Sequence, residues 1–144
     1  MLFTHLRKVA PLLALVIGAA GAAHAQATIK HEPAPYTSPI KGSEMYAVYC
    51  APCHGVAGKG DGPAAYALKS HPTDLTKLAA KNGGKFPEAA VLNSIRGDTG
   101  APPQSHGSVE MPVWGRVFQS ISRTDTDANL RLVNLVAYLK GIQK

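Results

Sequence analysis

The sequence predicts an all-α fold of about four helices joined by long glycine- and proline-rich loops. Three observations point there. Apolar residues recur at helical spacing in several segments, and no run alternates apolar with polar over a strand's length. The 14 glycines and 11 prolines among 144 residues favour loops without reaching the level of low-complexity disorder. There is no internal repeat. A chain this long holds one domain plus a targeting segment, which excludes a large α/β enzyme, a multispan membrane protein and a coiled coil.

The first 25 residues read as an export signal. Arg7 and Lys8 form a short positive start, residues 9–23 carry no charge, and Ala23-His24-Ala25 supplies the small residues that signal peptidase accepts, predicting cleavage after Ala25. An uncleaved anchor is the competing reading, but fifteen residues interrupted by Pro11, Gly18 and Gly21 fall short of the ~20 needed to span a bilayer. No cysteine lies near the junction for lipid attachment. The mature chain is therefore expected in an oxidising compartment such as the bacterial periplasm.

Residues 26–38 carry Pro33 and Pro35 among small and polar side chains and read as a flexible lead; the domain itself spans 39–144. The first helix opens near Ser43, a capping residue, with Glu44 at its positive end. It runs through Met45, Tyr46, Val48 and Tyr49 and delivers Cys50. Residues 55–62 contain four glycines and must be a loop, after which Pro63 can begin a short helix to Leu68. In residues 86–96, Pro87 suits a first turn, Val91, Leu92 and Ile95 form an apolar stripe, and Gly97 can close the helix. The last helix is the clearest. Thr124 or Thr126 caps it, Asp125 and Asp127 sit at its start, and Leu132, Val133, Leu135, Val136 and Leu139 recur before Lys140 and Gly141.

The chemistry centres on Cys50-Ala51-Pro52-Cys53-His54, which holds the only two cysteines of the chain. Cys-x-x-Cys-His is the signature of c-type haem attachment: two thiols at this spacing can add to the two vinyl groups of one porphyrin, and the adjacent imidazole is held under the iron by a short tether. Three duller readings compete. A dithiol exchange site usually follows a strand in a mixed fold. A zinc site would need ligands beyond Cys50, Cys53 and His54 from the scattered His31, His71 or His106. A plain disulfide would close a very small ring and leave His54 without a purpose.

A sixth iron ligand has to reach the opposite face. Met1 leaves with the signal, and Met45 is tethered to the helix entering Cys50. Met111, 57 residues beyond His54, lies in residues 107–115, where Pro112 argues against regular structure and favours an extended backbone presenting the thioether. The competing reading is a gap-filling core methionine, and His71 and His106 are rival ligands.

With these motifs in view the sequence resembles the monohaem class I cytochromes c of the bacterial periplasm. The resemblance covers residue 39 to the C-terminus. It rests on Gly42 through the motif to Gly55, on Gly58-Lys59-Gly60-Asp61-Gly62-Pro63, Pro72-Thr73-Asp74-Leu75, Ile95-Arg96-Gly97, Met111-Pro112-x-Trp114-Gly115 and the closing amphipathic helix. It implies the cytochrome c fold around one covalent haem c, with first and last helices crossing near the haem edge, Cys50 and Cys53 as thioether anchors, His54 and Met111 as axial ligands, and one-electron transfer as the activity. It further implies that His54 donates its second ring N–H to a backbone carbonyl near Pro63. Arg96, Trp114 and Arg116 become candidate contacts of the haem propionates.

A porphyrin would also explain a thin apolar inventory: of the 119 residues after Ala25, only 23 are Leu, Ile, Val or Phe. Removing Arg7 and Lys8 from a formal net charge of +6 leaves +4, without a basic run, so nucleic-acid binding is not indicated. Lys59, Lys69, Lys77, Lys81 and Lys85 are instead candidates for steering an acidic redox partner, although a plain solvated face is the simpler account of them. The function expected is electron carriage by a protein that is a monomer or part of a redox complex. The alternatives are a haem subunit of a dehydrogenase or oxidase, and a haem enzyme with an open sixth position.

Overall fold

The computed structural model describes residues 33–98 and 111–144. The expected signal peptide, the lead as far as residue 32, and His106 lie outside the described residues. Those described are helical, with no strand among them, and no helix among them is long and apolar enough to cross a membrane.

The first helix, α1, is built from three consecutive pieces: Gly42–Met45, a π-helical stretch Tyr46–Cys50, and Ala51–His54. Pro52 accounts for the wide middle. It has no N–H to donate to the carbonyl four residues back, and its ring would crowd that carbonyl. The helix widens instead, with the Ala51 N–H reaching Tyr46 O. Met45, Tyr46, Tyr49 and Cys50 all end up buried.

A glycine-rich loop and a 3-10 turn Ala65–Ala67 follow, where a short helix from Pro63 was expected. A second 3-10 turn, Leu75–Lys77, runs into α2, Leu78–Lys81. Helix α3, Glu88–Arg96, starts after Pro87 and turns Val91, Ser94 and Ile95 inward; Gly97 closes it through its N–H on Asn93 O at 2.9 Å. Helix α4, Trp114–Ile121, is not anticipated by a reading of 107–115 as loop. Its signal is the Trp114, Phe118, Ile121 spacing, with Phe118 wholly buried; Pro112 precedes the helix rather than preventing it. Helix α5, Asp125–Gly141, is capped by Thr124, whose Oγ1 accepts the Asp127 N–H at 3.1 Å.

Helices α1 and α5 cross and pack, and α5 also packs on α3 and α4. The crossing is tight at Gly42, where a Cβ would stand 2.2 Å from Asn134 O and 2.9 Å from Tyr138 Cβ. Met45, Tyr46, Phe118, Leu132, Leu135, Val136 and Leu139 form the core around it. The chain end is stitched back: the Gln143 amide donates to Leu75 O at 2.8 Å and accepts from the Ala79 N–H at 2.9 Å.

The lead differs from a simple linker. It has no regular structure from Pro33 to Pro39, yet Thr37 is 1% exposed and held by the buried Arg131. Prolines supply the extended backbone, while fixed hydrogen-bond partners supply the order.

Gly42→Val should force α1 and α5 apart. The expected loss is about 1–3 kcal/mol, read from guanidinium denaturation of the haem-loaded protein, with little change in its visible spectrum.

Candidate functional site

The last turn of α1 presents the Cys50-to-His54 motif, and the glycine loop exists to finish that turn. A helix end leaves carbonyls unpaired. Here Gly55 N–H takes Ala51 O at 2.9 Å, Ala64 N–H takes Pro52 O at 2.8 Å, Gly62 N–H takes Cys53 O at 3.1 Å and Gly60 N–H takes His54 O at 2.7 Å. The loop must fold tightly over the helix to do so. Gly60 sits at φ +86°, and a Cβ there would lie 2.2 Å from Pro72 O, so no other residue fits without strain. Tyr46 Oη adds a hydrogen bond to Gly55 O at 2.6 Å.

His54 is 9% exposed, and burial lowers the pKa of its imidazole, with the hydrogen bond to Thr73 opposing that shift. The neutral ring is thus favoured, as a metal ligand requires. Nδ1 lies 3.0 Å from Thr73 O. A carbonyl can only accept, so Nδ1 carries the proton and Nε2 is left with its lone pair for a metal. The sequence placed this carbonyl near Pro63. The structure gives it to Thr73: the N–H groups of residues 60, 62 and 64 turn to the helix end, and Thr73 and Leu75 line the smaller hollow beside His54.

Thr73 is itself fixed by the next residue. The Asp74 carboxylate accepts from Thr76 N at 2.9 Å and Thr76 Oγ1 at 2.6 Å, and these hydrogen bonds hold its pKa below the usual carboxylate range. Lys77 Nζ stands 3.6 Å from it.

Two adjoining hollows open from the motif. One, about 100 Å³, is lined by Leu75, Leu78, Val91, Ile95 and Leu139 besides Cys50, His54 and Met111. The other, about 310 Å³, is lined by Val48, Leu68, Pro112 and Trp114 together with Cys50, Cys53, His54 and Met111. Both are largely apolar. Met111, from a point far along the chain, therefore meets the motif, whereas Met45 is wholly buried in the core. A flat apolar macrocycle with a metal at its centre fits this arrangement: two thiols on one edge, a neutral imidazole, a thioether and apolar walls.

The duller readings fare less well. Burial and the neighbouring Cys53 push the Cys50 thiol up to about 12, which keeps it protonated and poor as an exchange nucleophile. Among the described residues, no group of three His, Cys, Asp or Glu side chains is arranged to hold a metal. His71 is exposed, with Nδ1 3.1 Å from Pro72 O, and lines neither hollow.

Of the candidate propionate contacts, Trp114 lines the larger hollow, its ring 5.3 Å from that of Tyr49 and tilted 40° to it. Arg96 and Arg116 instead line a separate polar hollow with Asp98 and Asp125, and Arg96 pairs with Asp98 at 3.4 Å. Sequence reasoning missed Thr73 as the histidine's partner and Tyr49 as a wall. The Pro72-Thr73-Asp74 segment carried the first signal, since Asp74 is a turn-initiating residue that fixes the backbone before it.

Asp74→Ala should cost about 1 kcal/mol at pH 7 through loss of the cap. The folded pKa is depressed, so this contribution is full above the ordinary carboxylate pKa of ~3.9 and fades as pH falls through the lower folded value. Denaturation curves of wild type and variant are expected to differ at pH 7 and converge in stronger acid.

Against protein-family models, residues 40–143 match the one described as Cytochrome c. Searches of curated proteins and of solved structures return no match.

Proposed function

This chain belongs to the cytochrome c family, with covalently attached haem c as its cofactor, and from that premise we propose that it is an exported, periplasmic one-electron carrier with His54 and Met111 as the axial ligands of its iron. The observation that carries the ligand assignment is the meeting of Met111 with Cys50 and His54 along both apolar hollows. When bound, the haem supplies a reversible one-electron change at its iron. The chain contributes the rest. Cys50 and Cys53 would anchor the macrocycle by thioether bonds. His54 keeps its proton on Nδ1, shared with Thr73 O, which fixes the ring's rotation and strengthens Nε2 as a donor. Met111 would offer a soft, neutral sulfur, which favours the ferrous state and raises the potential. Leu75, Val91, Ile95 and Leu139 exclude water from one side, lowering the cost of reorganising solvent as charge changes.

Export is supported by the first 25 residues of the sequence. The partner is a second redox protein met briefly. Lys59, Lys81 and Lys85 are exposed and suited to steering an acidic surface, whereas Lys77 is partly spent on Asp74.

The hollows also bear on folding. Without the haem the apolar walls of both hollows stand in water, which removes much of the burial on which a chain with so few Leu, Ile, Val and Phe residues has to fold. Cys50→Ala/Cys53→Ala should therefore lose most native helicity in far-UV circular dichroism, and a native spectrum would sink the idea.

The test of ligation is the optical spectrum of protein expressed with export intact. A low-spin c-type spectrum with the weak far-red band of methionine bound to ferric iron is expected, and Met111→Ala should abolish that band while leaving the haem attached. Persistence of the band in the variant, or rapid carbon monoxide binding by the reduced wild type, would overturn His54/Met111 ligation and favour an open iron site.

A further inference from the structure

Met111 is followed within three residues by α4, so the position of its sulfur depends on how firmly that helix is held. Two groups of contacts hold it, and they converge on one buried side chain. Arg131 of α5 is 1% exposed. Its Nε donates to Ser122 Oγ, at the C-terminal end of α4, at 3.0 Å. One terminal nitrogen donates to Thr37 O at 2.7 Å and Thr37 Oγ1 at 2.9 Å. The guanidinium also lies 4.9 Å from the centre of the Tyr36 ring. Among the described residues no carboxylate pairs with it, so hydroxyl and carbonyl oxygens and the Tyr36 ring receive the buried cation.

The remaining hydrogen bonds have a direction. Tyr49 Oη donates its single proton to Pro35 O, which leaves the Thr37 hydroxyl to donate to Tyr49 Oη at 3.0 Å while accepting from Arg131. The Tyr49 ring then meets Trp114, in the first turn of α4, at 5.3 Å and Phe118 at 5.5 Å. Helix α4 is thus gripped at its far end through Ser122 and at its near end through Tyr49. It has little room to slide: a Cβ on Gly115 would stand 2.5 Å from Arg96 O.

We propose that Arg131, Thr37 and Tyr49 form a positioning network in which the lead segment straps down α4 and so fixes Met111 at the iron site. The sixth-ligand part rests on the reading of Met111 as axial ligand. A bound thioether must leave before an added ligand can take its place, so loosening the strap raises the fraction of molecules open to that ligand and tightens its apparent binding by the same factor.

The experiment compares haem-loaded, full-length wild type with Tyr49→Phe, Thr37→Val, Arg131→Lys and Arg131→Met. Two readouts are taken: amide hydrogen exchange in α4 against α3, and titration of the ferric protein with imidazole. Tyr49→Phe and Thr37→Val are expected to speed exchange in α4 but not α3 and to bind imidazole roughly tenfold more tightly, the change that corresponds to about 1.4 kcal/mol. Arg131→Lys should fall between wild type and Arg131→Met. Equal acceleration in both helices, or unchanged imidazole affinity alongside lowered thermal stability, overturns the proposal. If Arg131→Met does not fold, the Tyr49 and Thr37 variants still decide it. Selective loosening of α4 in a protein whose wild type lacks the far-red band upholds the strap and removes Met111 as ligand, so the two readings fail separately.

Discussion

A buried imidazole must donate its ring N–H to a fixed acceptor, and the pairing of His54 Nδ1 with Thr73 O meets that requirement. Much of the structure follows from it. The two residues lie nineteen apart, so the segment between them has to double back over the end of α1. The glycines make the return compact enough, and their N–H groups pair the helix-end carbonyls on the way. Asp74 then locks the acceptor's own backbone, and the C-terminal Gln143 binds the stretch beyond it to α5. One neutral donor nitrogen, aimed into an apolar hollow, is what this assembly achieves.

The second half of the site is held by different means. His54 stands on a helix end whose carbonyls are paired, whereas Met111 precedes a helix held by packing near its start, Trp114 and Phe118 on Tyr49 and Gly115 on Arg96 O, and by the Arg131 hydrogen bond to Ser122 at its far end. Hydrogen bonds define angles, and packed aromatic faces define distances with more latitude. The His54 side of the site is thus held at the residue itself, and the Met111 side through the helix that follows it.

Legibility in the sequence followed the range of the interactions. The all-α class, the caps at Thr124 and Gly97, and the Cys50-to-His54 motif are local patterns, and each could be read directly. Met111 was singled out by elimination and by resemblance, with His71 and His106 as rivals, and its place along both hollows comes only with the fold. Thr73 was not, because a backbone carbonyl leaves no mark in its own side chain and only folding brings it to His54. Helix α4 was lost behind Pro112 and Gly115, residues that argue against a helix locally while the buried Phe118 enforces one. The order of residues 33–39 was hidden for the same reason: composition describes a linker, and Arg131, 94 residues from Thr37, supplies the partner.

The π-helical stretch before the motif gives the chain one place to hold an extra residue. A π-turn takes in about one residue more than the α-turn it replaces, while the helix on either side keeps its direction. The widened turn lets Pro52 enter α1 without an N–H to donate, and Cys50, Cys53 and His54 keep their bearing on Gly42 and Met45, which are seated against α5. Its two outward residues then part company: Ala47 faces solvent, whereas Val48, exposed as it is, lines the larger hollow. An irregularity in the helix is in this sense a joint that absorbs length and leaves direction alone.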